Sequence, residues 1–430
     1  MQELYEIFKN SKGVSTDSRE DLSGKVFFAL RGERFDANDF IDQALDKGAL
    51  HVVTTNHKYD NDPRATVVDD TLVALQELAK IHRANLKCDV LAITGTNGKT
   101  TTKELTAAVM RKKYRTVATE GNHNNHIGVP LTILSAPLET EYLIVEMGAN
   151  HPGEIKALCE IAQPTIGLIT NIGHAHIEGF GSFEGVVKTK AELYNYLMEH
   201  DGEIMIDGKN KILTDLIGDY FKVIRYNCYT GFIDGRGNVE GRAVINKDGF
   251  LDVQMDFTRI YTHLVGEYNL LNVLAAIAVG RWYGIFYDRS IPAVESYIPS
   301  NGRSQLVNSP RGNKLIVDAY NANPTSMNAA LDSFLNSNFT NRAVILGSMK
   351  ELGSESVSSH RDILSRLASA DIKRAILVGP EFANLKADFP DFEYVDDVKD
   401  IIPLADSFSD SSILIKGSNS NRLREIVDYL

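Results

Sequence analysis

The sequence predicts an α/β protein of three domains, and three observations carry that reading. Residues 85–300 alternate short apolar runs (90–93, 142–146 and 166–170) with stretches of helical spacing. That is the pattern of a mostly parallel sheet covered on both faces. The alternation restarts at Arg303, with apolar runs at 315–318, 344–346, 375–378 and 413–416. This predicts a second, Rossmann-like doubly wound unit. At 430 residues the chain also exceeds the usual length of one domain.

The elements follow in chain order. In residues 1–84, apolar runs at 26–30, 51–54 and 66–68 read as strands, and 39–47 and 71–85 have helical spacing. This is a small α/β unit, and its last helix leads into the second unit, residues 85–301. There the run at 90–93 feeds a glycine-rich turn and a helix opening at Thr101-Thr102-Lys103-Glu104. Residues 203–263 are polar, irregular and glycine-rich, and predict an insertion of short antiparallel strands. Residues 266–284 are strongly helical. Pro299-Ser300-Asn301-Gly302 supplies breakers and a hinge before the third unit, residues 302–430.

Composition narrows the function classes. The formal net charge is −12 and no basic face is evident, which argues against a nucleic-acid partner. A local basic pocket for an anionic substrate stays compatible with it. Cys88, Cys159 and Cys228 are odd in number and far apart, as expected of a reducing compartment without a disulfide or zinc framework. The first residues lack a basic stretch followed by an apolar one, and no segment reaches the ~18–20 apolar residues of a membrane span. The expectation is a cytoplasmic protein without signal peptide or membrane anchor. Nothing marks an interface, so a monomer is expected.

The motif with the most chemistry is Thr94-Gly95-Thr96-Asn97-Gly98-Lys99-Thr100-Thr101. Strand, glycine loop, then helix is the layout of a phosphate cradle: glycines let backbone N–H groups turn inward, and the helix N-terminus adds positive dipole. Lys99 reaches the outer phosphates and the Thr100 hydroxyl holds Mg²⁺. The spacing is shorter than the common Walker form, whose first glycine would fall at Ile93, and this makes it more diagnostic. The chain is therefore expected to use ATP.

Other candidates lie at strand ends. Glu146 ends the run 142–146, where a carboxylate can bind the Mg²⁺ that Thr100 touches. His176, in Asn171-Ile172-Gly173-His174-Ala175-His176, can meet metal or phosphate. Lys188 and Lys190 cannot share a helical face, and composition alone leaves them solvated. Asn124 and Asn125 sit in an amide-dense stretch suited to sugar, peptide or phosphate, or to an ordinary turn. Asn269 and Asn272 could read adenine. Asp318, after another strand, can hold a ribose hydroxyl or an ammonium, while Asn323 before Pro324 fits a helix cap.

Several of these segments together carry a family resemblance. Thr16-Asp17-Ser18-Arg19 and 27–36 lie in the first unit, the phosphate loop, 124–130, 146–154, 176–182 and 266–272 in the second, and 318–327 in the third. The chain resembles the Mur ligases, ATP-dependent amide-forming enzymes of bacterial wall precursor synthesis, over nearly its whole length. Tyr320-Asn321-Ala322-Asn323-Pro324 places it nearest the branch that joins D-Ala-D-Ala to UDP-N-acetylmuramoyl-tripeptide. The resemblance implies a UDP-binding first domain using Ser18, Arg19, Arg31, Phe35 and Asp36. It implies that Lys190 is open to carbamylation by CO₂ and stands with His176 and Glu146 at a second Mg²⁺. It implies Arg303 at the γ-phosphate, Asp318 and Asn321 at the nucleotide, and Asn269 and Asn272 near adenine. Asn38 (usually His), Ser348 (usually Asp) and Asn419 (often Arg) depart from the family pattern. Folylpolyglutamate synthase shares the loop but lacks the nucleotide-sugar domain. A non-catalytic ATP-binding module is the other reading, against which the set Lys99, Glu146, His176, Lys190 and Arg303 speaks.

Overall fold

A computed structural model describes residues 1–32, 35–228, 239–300 and 302–430. Its strands form four sheets. The first is parallel, in the order Val14–Ser15, Val26–Phe28, His51–Thr54, Ala65–Val67. The helix Thr71–Asn85 follows, opened by Asp70, whose carboxylate accepts from the Leu72 and Val73 N–H groups.

The central sheet has six parallel strands in the order Val223–Tyr226, Glu203–Asp207, Ile166–Ile169, Asp89–Thr94, Tyr142–Glu146, Thr116–Ala118. Strand periodicity divides its side chains between two cores. Val90, Ala92, Leu143 and Val145 pack against helices that include Thr71–Asn85 and Phe183–Glu199. Leu91, Ile93, Tyr142 and Ile144 pack against the helices Lys99–Met110 and Leu270–Trp282. Leu4, Phe8, Val26 and Phe28 belong to the first of these cores, so the N-terminal unit shares its inner layer with the central one.

The last sheet runs Gln305–Asn308, Lys314–Asp318, Ser412–Lys416, Arg342–Gly347, Arg374–Val378, Glu393–Val395, with the first strand antiparallel. Its residues again alternate between two cores, Ile316, Val344 and Leu414 on one side and Leu315, Ile345 and Ile413 on the other. The three-domain α/β architecture expected from the sequence is present. Among the described residues, no helix is long and apolar enough to cross a membrane.

Three expectations need correction. The stretch 203–263 is not one antiparallel insertion. Glu203–Asp207 and Val223–Tyr226 extend the central parallel sheet, because Ile204, Met205 and Ile206 are fully buried and need cover on both faces. Antiparallel pairing is confined to Arg242–Ile245, Leu251–Gln254 and Arg259–Tyr261, while 229–238 lie outside the described residues. The helix expected from Thr101 begins at Lys99, since Gly98 takes a left-handed φ of 82° and turns the chain there. The helix expected at 39–47 is a 3₁₀ turn, Ala37–Phe40, capped by Asp36, followed by Ile41–Asp46.

Candidate active site

The carboxyl ends of three adjacent strands converge on the glycine loop. Asp89–Thr94 lies between Tyr142–Glu146 and Ile166–Ile169, with Ile93 opposite Glu146 and Thr94 opposite Ile169. Strand order reverses here, the position at which open α/β sheets bind ligands. Glycine is required twice. A Cβ at Gly95 (φ 138°) would lie 2.1 Å from Thr170 Oγ1, and one at Gly98 would lie 2.5 Å from Asn272 Oδ1.

A cavity of about 610 Å³ opens over this loop. Gly95, Thr96, Asn97, Gly98, Lys99, Thr100 and Thr101 line it, together with Asn124, Asn125, Glu146, His176 and Lys190. Asn269 and Asn272 line it from the central unit, and Arg303, Asp318 and Asn321 from the C-terminal unit. Segments more than 200 residues apart in sequence thus meet in one cleft.

Each side chain has a physical setting. Lys99 Nζ donates to the Gly95 and Thr96 carbonyls at 2.7 and 3.1 Å, folded over the loop. Burial holds its amine below the ordinary lysine value, opposed by Glu146 and reinforced by Arg303. Glu146 is 2% exposed; its Oε1 accepts from Asn124 Nδ2 at 2.9 Å. Its Oε2 is buried with no hydrogen-bond partner among the described residues. An orphaned carboxylate oxygen in a cleft that Thr100 also lines fits a divalent cation. Among the described residues no group of three His, Cys, Asp or Glu could hold a metal ion. One carboxylate with a hydroxyl is a ligand set compatible with an ion such as Mg²⁺ that is held mainly by substrate phosphates and water.

Lys190 is 3% exposed. Burial, then repulsion from Lys99, pulls its amine down to about 7. The solvated face expected from composition holds for Lys188, which is exposed, and fails for Lys190, whose amine lies 5.4 Å over the Phe180 ring. His176 has φ 53° and its Nδ1 meets the Glu351 carboxylate across the cleft. Burial lowers its pKa, and Glu351 works against that.

The remaining polar groups are held by neighbours. Asn272 Oδ1 accepts from Thr102 Oγ1, and its Nδ2 donates to Asn269 Oδ1 at 2.8 Å. Asn125 Oδ1 accepts from the Ile127 and Gly128 N–H groups at 3.1 and 2.9 Å, so it shapes the entry to the helix Gly128–Leu134. Arg303 lies 3.5 Å over the Tyr320 ring. Asp318 stands opposite Lys416 in the sheet and accepts from its Nζ at 2.6 Å.

Lys416, Glu351 and Asn323 are residues the sequence reading left out of the site. Lys416 ends a strand that was identified, and that position was its signal. Glu351 and Asn323 reach the cleft region only through docking of the C-terminal unit.

The N-terminal candidates lie apart from this cavity. Ser18, Arg19, Arg31, Phe35 and Asp36 are absent from its lining. Arg19 is paired with Asp17 at 2.6 Å, Arg31 with Asp36 at 3.7 Å, and Phe35 stacks on Phe40 at 5.1 Å. The Ser18 carbonyl accepts from Lys47 Nζ at 2.6 Å. Asn38, in place of the family's usual His, donates to Asp36 at 2.7 Å and accepts from Thr54 Oγ1 at 2.6 Å, a purely internal bridge. Ser348 is fully buried with its Oγ on the Val378 carbonyl at 3.1 Å, and a Cβ at Gly379 would lie 2.7 Å from that Oγ, so the space is tight.

Comparison with known proteins follows the same outline. Residues 93–280 match the Mur ligase middle domain and 302–419 the Mur ligase, glutamate ligase domain. The chain is 33% identical to the UDP-N-acetylmuramoyl-tripeptide–D-alanyl-D-alanine ligase of Bacillus subtilis, over 97% of this chain and 93% of that one. It is 34% identical to the enzyme of that name from Escherichia coli, over 97% and 93%. The solved structure of Thermotoga maritima MurF ligase in complex with ADP superposes with a TM-score of 0.84 at 26% identity, covering 98% of this chain and 97% of that one. MurF from Acinetobacter baumannii gives 0.84 at 27% identity, covering 99% and 97%.

Proposed function

This chain belongs to the Mur ligase family, and from that premise we propose that it joins D-Ala-D-Ala to UDP-N-acetylmuramoyl-tripeptide in peptidoglycan precursor synthesis, converting ATP to ADP and phosphate. One observation carries the mechanism: a glycine loop, a carboxylate with a free oxygen and a near-neutral lysine share one cavity with Arg303 and Asp318 of the C-terminal unit.

The tripeptide carboxylate attacks the γ-phosphate to give an acyl phosphate and ADP. The dipeptide amine then attacks that carbonyl, and the tetrahedral intermediate expels phosphate. Lys99 leaves the Gly95 and Thr96 carbonyls to meet phosphate oxygens, and Arg303 approaches from the opposite wall. Both neutralise charge that builds in the transferring group. Glu146 and Thr100 are the proposed Mg²⁺ ligands, with His176 and Lys190 at a second position. Bound Mg²⁺ would supply further charge neutralisation at the phosphates. Asn124 holds Glu146 by its bond to Oε1. Lys190, neutral above about pH 7, can add CO₂ with loss of a proton to become a carbamate anion. Asn269, Asn272, Asp318 and Asn321 are assigned to the nucleotide. Closure of the C-terminal unit excludes water from the acyl phosphate.

Ser18, Arg19, Arg31, Phe35, Asp36, Asn124 and Asn125 are assigned to the UDP-linked substrate. Domain boundaries at 84/85 and 301/302 are supported by the separate sheets on either side. A cytoplasmic monomer completes the proposal.

The test is ADP release with ATP, Mg²⁺ and UDP-muramoyl tripeptide, with and without D-Ala-D-Ala, and the product mass. Dipeptide-dependent release with a pentapeptide product is expected. Release supported by a different acceptor, or release without ligation, overturns the assignment.

A further inference from the structure

Asn97 sits in the phosphate loop but its backbone faces elsewhere. Its N–H donates to Asn171 Oδ1 at 3.0 Å, and its carbonyl accepts from Thr170 Oγ1 at 2.6 Å and Asn171 Nδ2 at 2.9 Å. The end of the neighbouring strand thus takes both backbone groups. The side chain meets Asn323, 226 residues away: Asn323 Nδ2 donates to Asn97 Oδ1 at 2.8 Å, and Asn97 Nδ2 to Asn323 Oδ1 at 3.4 Å. A reciprocal amide pair needs donor to face acceptor on both sides at once, so it forms in a single register.

Asn323 is itself held rigidly. It is 3% exposed and caps the helix Pro324–Asn336, its Oδ1 accepting from Ser326 N at 2.8 Å while Ser326 Oγ accepts from its own N–H at 3.1 Å. Two residues on, Thr325 Oγ1 accepts from His174 N at 3.1 Å, and a Cβ at Gly173 would lie 2.7 Å from that oxygen. The chain from Asp318 to Asn323 is short, so the position of Asn323 sets where Asp318 and Asn321 fall relative to the loop.

We propose that the Asn97–Asn323 pair is the pin that registers the C-terminal unit on the phosphate loop. Asn323 is a positioning residue for Arg303, Asp318 and Asn321, and Asn97 serves docking rather than phosphate binding. The kinetic part of this proposal rests on the ligase reading above.

Asn323→Ser keeps a good helix-capping oxygen and removes the amide. Asn97→Ser removes the amide from the other side without putting charge into the cradle. Each variant is expected to lower kcat by about 5- to 20-fold, with an unchanged thermal midpoint, and the double variant to be no worse than either single. In small-angle scattering without nucleotide, both single variants should have a larger radius of gyration than wild type. Unchanged radii overturn the pin whatever the rates. Expanded variants with wild-type kcat, or effects that add in the double variant, overturn the positioning role. If wild type shows no dipeptide-dependent ADP release, the ligase reading fails while the scattering still decides the pin.

Discussion

Around the phosphate loop, charged side chains are buried and, among the described residues, incompletely paired; on the N-terminal unit, Arg19, Arg31 and Phe35 are exposed and each meets a near neighbour. Glu146 is 2% exposed and one of its oxygens has no partner among the described residues, and Lys190 is buried within the repulsive field of Lys99. Arg19 and Arg31 instead sit at 89% and 82% side-chain exposure, each on a carboxylate within five residues. A buried, unsatisfied group costs stability and persists where a ligand completes it. An exposed pair contributes little to the fold and can be exchanged for a ligand at small cost. On the proposed assignment the first region carries the chemistry and the second captures the substrate, so substitutions should separate kcat from KM along that line.

The largest test is Lys99→Ala. Turnover should fall by at least ~10³-fold with the circular dichroism spectrum retained, because a charge at the transferring phosphate is lost. Near-wild-type turnover would remove the loop from the mechanism. Glu146→Gln keeps the shape and the contact with Asn124 while removing the charge. We expect about a 10²-fold drop in kcat and a higher Mg²⁺ requirement, read by titrating Mg²⁺ at saturating ATP. An unaltered Mg²⁺ profile would separate the orphaned oxygen from the metal.

Lys190 gives a pH test with a defined sign. Its folded pKa of about 7 lies below the ordinary lysine value, so above 7 the unfolded chain binds one more proton. The group's penalty is full below about pH 7 and is relieved as pH rises from there toward the ordinary lysine range. Lys190→Met should therefore flatten the rise in unfolding midpoint over that interval. If the carbamate forms, activity of the wild type should also rise about tenfold with added bicarbonate above pH 7, and ¹³C-bicarbonate should label Lys190. An unlabelled Lys190 in active enzyme ends the carbamate proposal.

The smallest effects belong to the capture region. Phe35→Ala and Arg31→Ala should raise KM for the UDP-linked substrate about 3- to 10-fold and leave kcat unchanged. A fall in kcat with KM unchanged would collapse the distinction between the two regions.

Much of the site was legible because each part has a local signature. Thr94–Thr101 is a contiguous loop, and Glu146 and Asp318 end apolar runs whose length marks them as strands. Asn38 and Ser348 were visible as departures, but their replacement bonds to Asp36, Thr54 and Val378 were not. Residues 203–226 were misread because the strands Glu203–Asp207 and Val223–Tyr226 are too short, and too closely flanked by polar turns, to show a period. Lys190 was ambiguous for the same reason: a lysine carries no local mark of whether its helix face meets water or a sheet.

Sequence alone determined the α/β layering, the phosphate loop and the family, because strand and helix periods and a glycine-rich turn are properties of neighbouring residues. Only the tertiary structure decided which distant groups share one cavity. The lowered pKa of Lys190, the Glu146 oxygen without a partner among the described residues, and the meetings of His176 with Glu351 and Asn97 with Asn323 all depend on burial and on docking of a separate sheet. Burial and docking are set by the whole chain, since dielectric and distance are sums over every segment that packs nearby.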